Sequence, residues 1–276
     1  MDLIFKTFAR LPLWLIHSLG WILGWIVFIC SPIYRRRLIE NSKSAGFVGC
    51  VWGSIGSAGK LVAELPRLWL GKPVPIFWEG DDCVRDALNL KKGIIFLTPH
   101  LGCFEITAQA YSECFGQADQ PLTVLYRPAR KLWLNDLMIK SRQRVGLHTA
   151  PTNMGGVKQM IKALRLGQSV GLLPDQVPPL GMGEWVEFLG RKAYTMTLAL
   201  RLAQQTGATV IVAWGERLPW GQGYRIHCKK LSIPLSPSFQ ISLRYVNSAI
   251  EDLIIASPDQ YLWGYARYQN PRKGRI

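Results

Sequence analysis

Ile94-Ile95-Phe96-Leu97-Thr98-Pro99-His100-Leu101-Gly102-Cys103-Phe104-Glu105 is the stretch on which the fold turns. Four apolar residues and Thr98 have the length of a strand buried on both faces. Pro99 cannot donate to a sheet ladder, so the strand stops there. His100 comes next, then a glycine turn, then a helix starting near Gly102. This puts His100 at the rim of a sheet and Glu105 in a first helical turn, where the helix dipole favours a carboxylate. The bend through Leu101-Gly102 is expected to bring the two side chains within hydrogen-bond reach. A histidine backed by a carboxylate is a general base, because the carboxylate fixes the tautomer and stabilises the imidazolium that forms. Such a base takes a proton from a substrate hydroxyl, which then attacks an activated carbonyl. H-x4-E alone is a weak motif. The other three histidines do not carry it: His17, His148 and His227 precede Ile22, Asn153 and Ser232 by the same spacing.

Outward from this stretch, short apolar runs alternate with amphipathic ones. Further strands are expected at Leu122–Tyr126, Val170–Leu173, Thr209–Ala213 and Tyr224–Lys229. Helices are expected at 153–166, where Val157, Met160, Ile161 and Leu164 recur at helical spacing, and at 195–206, closed by Gly207. Residues 38–70 read as helical despite five glycines. Alternating strands and helices imply an α/β fold with a largely parallel central sheet flanked by helices, and ligands gather beyond the carboxyl ends of its strands. No internal repeat or linker divides the chain.

Leu11–Tyr34 holds no Lys, Arg, Asp or Glu, and Arg35, Arg36 and Arg37 follow at once. The run LPLWLIHSLGWILGWIVFIC is long enough for about 30 Å of bilayer core at roughly 1.5 Å per residue. The arginines are expected to remain cytoplasmic and to place the rest of the chain there. The protein has 33 Lys and Arg against 18 Asp and Glu, a formal charge of +15. The excess lies in the body of the chain: residues 121–170 hold nine basic residues and one acid, Asp136. Such a surface seeks anions, among them phosphorylated substrates, acidic proteins and anionic membrane lipids. The content of 11 Trp, 9 Tyr and 10 Phe excludes disorder. Six scattered cysteines form no C-x-x-C or metal-spaced cluster, so neither a disulfide scaffold nor a metal site is expected.

Several ordered blocks now carry a resemblance. They are PHLGCFE at 99–105, LYRPARKLWLND at 125–136, LLPDQ at 172–176, FLGRKAYT at 188–195, TGA at 206–208 and PDQYLWGYARYQNP at 258–271. With the apolar amino terminus, they make the chain resemble the late acyltransferases of lipid A biosynthesis, the lauroyl and myristoyl transferases of the H-x4-D/E glycerolipid acyltransferase superfamily. The resemblance implies a glycerol-3-phosphate acyltransferase-like fold, with residues 1–37 a membrane anchor in the bacterial inner membrane and 38–276 a cytoplasm-facing acyltransferase domain. It implies acyl transfer from acyl carrier protein to a hydroxyl of a phosphorylated glycolipid, without cofactor, metal or nucleic acid. His100 would be the base and Glu105 its orienting partner. Arg127, Arg144, Asp175 and Gln176 would bind substrate or the oxyanion. The chain departs from the family at its carboxyl end: where a Trp-x-His-Arg-Arg run is usual, it has Trp263-Gly264-Tyr265-Ala266-Arg267.

Other readings compete. A superfamily member of this kind can act on a glycerophospholipid or another glycolipid. A basic membrane-surface protein without catalysis fits the charge alone. Cys103, three residues after His100, invites a covalent acyl-enzyme, but a small buried thiol packing a helix turn is the expectation.

Overall fold

The structure is a computed structural model that describes residues 2–116, 119–126, 145–233 and 238–272. Its centre is a sheet of seven strands: β1 (Ile76–Glu79), β2 (Ile94–Leu97), β3 (Leu122–Tyr126), β4 (Leu147–Pro151), β5 (Ser169–Leu172), β8 (Thr209–Arg217) and β9 (Tyr224–Leu231). The order is β1-β9-β8-β2-β5-β3-β4, and every pairing is parallel except β8 with β9. The sheet is thus largely parallel, as the alternation of elements implied. β6 (Gly183–Phe188) and β7 (Arg191–Met196) form a separate antiparallel hairpin. The apolar-run pattern misses β1, β4 and this hairpin. β1 and β4 are the two edge strands, and β4 carries His148, Thr149 and a terminal Pro151. The hairpin strands GEWVEF and RKAYTM are half charged or polar because one face meets solvent.

Successive residues of the central strands point to opposite faces, and each face has its own helices. On one side Ile95, Leu97, Val170, Leu172, Val210 and Val212 pack under α8 (Met154–Arg165), α9 (Leu198–Thr206) and α10 (Phe239–Ala256). On the other, Ile94, Phe96, Leu122, Ile211 and Ala213 meet α6 (Asp82–Asn89) and α7 (Phe104–Cys114). Asn153 caps α8, its side-chain oxygen accepting from Gly156 N at 3.1 Å. The second expected helix starts three residues late, at Leu198, because 195 and 196 complete β7.

The amino-terminal third is helical: α1 (Asp2–Arg10), α2 (Leu13–Cys30), α3 (Pro32–Ser44), α4 (Val51–Ala63) and α5 (Leu65–Leu70). Among the described residues, α2 is the one helix long and apolar enough to cross a membrane, by length and composition. It does not stand apart from the body. Its Gly20 and Gly24 press against α4, so closely that a Cβ on Gly24 would collide with the Ile55 carbonyl and one on Gly59 with that of Gly20. Small residues let the two backbones approach, as they do in packed apolar helix pairs. Trp25 of α2 stacks on Trp52 with ring centroids 5.5 Å apart. The opposite side of α2, including Trp14, Ile22, Ile26 and Ile29, is exposed. Arg35 folds back to donate to the Ile29 carbonyl at 3.1 Å, satisfying the last turn of α2.

Candidate active site

β2 ends at Leu97, and the chain then makes the irregular passage Thr98–Cys103 before α7 begins. Gly102 has φ of +58°, and a side chain there would strike the Gly215 carbonyl of β8. The turn is tied down from several directions. Gly102 N donates to Gln260 O at 3.0 Å, Cys103 N to Gly215 O at 2.7 Å, and Leu262 N to His100 O at 3.1 Å. The segment after α10 therefore clamps the backbone that presents His100.

The His100 side chain is 9% exposed and lies edge-on to Phe104, ring centroids 4.9 Å apart. Its Nδ1 is 2.8 Å from Asp175 Oδ1, and its backbone N donates to Asp175 Oδ2 at 2.9 Å. Its Nε2 is 3.0 Å from the amide nitrogen of Gln176. Asp175 and Gln176 stand three and four residues beyond β5, the strand beside β2, so a parallel pair delivers all three to one rim. The neutral ring with hydrogen on Nδ1 satisfies both contacts: it donates to Asp175 and accepts the Gln176 amide at Nε2. Asp175 is fully buried. Burial alone would raise its pKa, but the opposing influence of His100 and of Arg267 holds it below the usual value. It is a carboxylate positioned to stabilise an imidazolium.

The carboxylate expected behind His100 was Glu105, and the structure instead puts Asp175 at Nδ1. The reason is local geometry. The non-helical residues Leu101–Cys103 intervene, and the helix carrying Glu105 begins only at Phe104. Glu105 lines a cavity, with Trp69 Nε1 donating to its Oε2 at 3.4 Å. Asp175 and Gln176, expected among the substrate-binding groups, touch the imidazole itself. Arg127 and Arg144 fall outside the described residues.

The cavity has a volume of about 1510 Å³. Thr98, Phe104, Glu105 and Gln176 lie in its wall beside the imidazole, and its deeper part passes between the sheet and α7. Leu61 and Val62 of α4 and Arg37 of α3 stand in the same wall. One side of the cavity thus adjoins the helices whose outer faces are exposed and apolar. Cys103 is fully buried beside Glu64, and burial with that nearby carboxylate raises its pKa well above the ordinary thiol value. A thiol so held is no nucleophile at neutral pH.

Three supporting residues were missed by sequence reasoning. Arg267 is buried, donating to Tyr194 O and Thr195 Oγ1, both at 2.7 Å, and it helps keep Asp175 ionised. Tyr265 accepts from Val177 N at 2.9 Å and so holds the loop carrying Asp175 and Gln176. Both belong to the divergent run Trp263–Arg267, whose departure from the family was visible but whose docking partner was not. Glu64 is paired with Arg217 at 2.7 Å inside the protein. The signal available for Glu64 was its position as a lone acid in the apolar run LVAELPRLWL.

A buried imidazole–carboxylate pair thus stands at the carboxyl rim of a mostly parallel sheet, beside a cavity lined largely by apolar residues, the setting in which an α/β fold places a ligand site. The model of the bacterial lipid A biosynthesis acyltransferase family matches residues 35–270, and the chain belongs to that family and is an acyltransferase. It is 24% identical over 245 residues to the lipid A biosynthesis lauroyltransferase of Escherichia coli (strain K12), covering 87% of this chain and 74% of that one. It is 24% identical over 194 residues to the lipid A biosynthesis palmitoleoyltransferase of the same organism, covering 69% of this chain and 60% of the other. A lipid A biosynthesis acyltransferase of Haemophilus influenzae is 25% identical over 192 residues, and 56% of it is covered. The chain thus spans less than two thirds of the last two.

Proposed function

We propose that this acyltransferase moves a fatty acyl chain from acyl carrier protein to a hydroxyl of a phosphorylated lipid A precursor, with His100 as general base. The observation that carries the proposal is the imidazole held at Nδ1 by a buried carboxylate at the edge of a cavity whose deeper wall is apolar. The acceptor hydroxyl takes the place of the Gln176 amide at Nε2 and gives its proton to that nitrogen. Its oxygen then bonds to the thioester carbon. The tetrahedral intermediate collapses, the carbon–sulfur bond breaks, and the imidazolium returns the proton to the departing thiolate. Asp175 stabilises the imidazolium throughout. The displaced Gln176 amide is a donor for the oxyanion, a task we also assign to Arg127 or Arg144, either of which alternatively meets phosphate. Glu105, from the cavity wall, orients the acceptor. A thioester is already activated, so proton removal and oxyanion stabilisation suffice.

We further propose that the exposed side of α2 rests in the inner membrane, with the α/β body, residues 38–276, on the cytoplasmic side. Trp14, Trp21, Ile22, Ile26 and Ile29 would face lipid, and Arg35–Arg37 the anionic headgroups. A lipid acceptor would then enter beside Leu61 and Val62 without crossing water. The +15 charge favours both phosphorylated lipid and an acidic carrier protein. The test supplies purified protein and labelled acyl-acyl carrier protein with a lipid A precursor, lysophosphatidate or a neutral glycolipid. Label on the lipid A precursor is expected; acylation of lysophosphatidate alone would overturn the acceptor assignment.

A further inference from the structure

We infer that Gly171 sets the length of the transferred acyl chain, by leaving open the passage through which that chain runs past the middle of the sheet; the inference rests on the acyltransferase reading above. β5 is hydrogen-bonded on both sides, to β2 and β3, and such a strand is normally sealed. Ser169, Val170 and Leu172 are indeed buried, whereas Gly171 is only half-buried. Its register partners are Phe96 on β2 and Val124 on β3, which share its face, and all three line the cavity. Among the described residues, a Cβ at Gly171 would press on Val124, the nearest atom 3.1 Å away, and touch Leu122 at 3.8 Å, while the side toward α7 stays open. The missing side chain is therefore part of the cavity's width, as a strand glycine allows where a ligand approaches closely.

Its depth is what gives Gly171 a role in chain length. Phe96, its partner, is four residues before His100, a separation of at most about 13 Å at about 3.3 Å per residue of extended chain. The cavity continues past that row to Leu122 and Leu147, which pair one row deeper. Phe96 and Tyr111, ring centroids 5.3 Å apart, wall the passage on the side of α7. A chain whose carbonyl is attacked beside His100 must run past Gly171 to reach the deep end. A branched side chain at 171 would stop it there while leaving the reacting end untouched.

The experiment measures kcat/KM with myristoyl- and decanoyl-acyl carrier protein for the wild type, Gly171→Val and Gly171→Ala, together with each protein's melting temperature. In Gly171→Val the myristoyl-to-decanoyl ratio is expected to fall at least about 10- to 200-fold, the discrimination a hydrophobic pocket achieves over a single methylene, with decanoyl transfer retained. Gly171→Ala should give a smaller fall in the same direction, and it decides the matter if valine lowers the melting temperature. Val124→Ala, which widens the same row, should raise the ratio. An unchanged ratio in a folded variant overturns the inference, as does equal loss of both donors in Gly171→Ala. A wild-type protein that transfers neither chain to any lipid would instead defeat the acyltransferase reading.

Discussion

Among the described residues, two histidines sit beside buried carboxylates, and of these two it is His100 that adjoins the cavity. His100 meets Asp175 at 2.8 Å, and its other nitrogen contacts an amide at the cavity's edge. His17 lies 3.4 Å from Glu64, but Glu64 is already matched by Arg217 at 2.7 Å and accepts from Tyr224 at 2.9 Å. Arg217 in turn donates to Ser57 at 3.0 Å, closing the cluster among α2, α4, β8 and β9. In the first pair the carboxylate's chief partner is the imidazole, so it can stabilise a proton arriving there. In the second a guanidinium supplies the charge and nothing is left for a proton to do. A histidine beside an acid is therefore not a catalytic device by itself; what the carboxylate already holds, and what the far nitrogen faces, decide it.

Replacing His100 with Ala should lower acyl transfer about 10²- to 10⁴-fold, the range for loss of a general base, and should also lower the melting temperature, because it strips the buried Asp175 of its chief partner; the rate is therefore read at a temperature where the variant is folded. Asp175→Asn should also act on kcat, while His17→Ala should leave kcat within a few fold. If His17→Ala abolished turnover in a folded protein, the distinction between the two pairs would collapse.

The second cluster is broken through stability. Arg217→Leu strands a buried carboxylate and should cost about 3–5 kcal/mol, read as a lower midpoint in urea. The cluster also has an acid signature. Glu64 is pulled down to about 2, burial opposing and the Arg217 charge and His17 contact prevailing. A carboxyl whose folded pKa is depressed stabilises above its unfolded value and loses that contribution as pH falls through the folded one. Wild-type stability should therefore drop between about pH 4.5 and about pH 2 more steeply than that of Glu64→Gln, and parallel curves would remove Glu64 from the account. The smallest effect is expected at Cys103. Its Ala variant should retain activity within a few fold in a labelled-donor assay, since the thiol is buried and protonated. Near-total loss would revive a covalent acyl-enzyme and recast both pairs.

The sheet's centre was legible because β2, β3, β5 and β8 are largely apolar runs, and because β9 begins with an alternation of apolar and polar residues, Tyr224-Arg225-Ile226-His227. The edges β1 and β4 and the hairpin were not, because strands half in solvent carry mixed residues. His100 was legible from the proline and glycine around it. Its partner was not: position 105 was favoured by nearness in sequence, but Asp175 is 75 residues away and is delivered by the pairing of β5 with β2.

By itself, the sequence determined the strand that stops at Pro99, the histidine after it, the apolar amino-terminal helix and the surplus of positive charge, since each is written in consecutive residues. Only the tertiary structure decided which carboxylate faces the imidazole, which Glu–Arg pair is sealed inside, that α2 lies along α4, and that Gly171 opens on a cavity. Those depend on contacts between segments far apart in the chain, where parallel register and close helix packing, rather than local spacing, set which atoms meet.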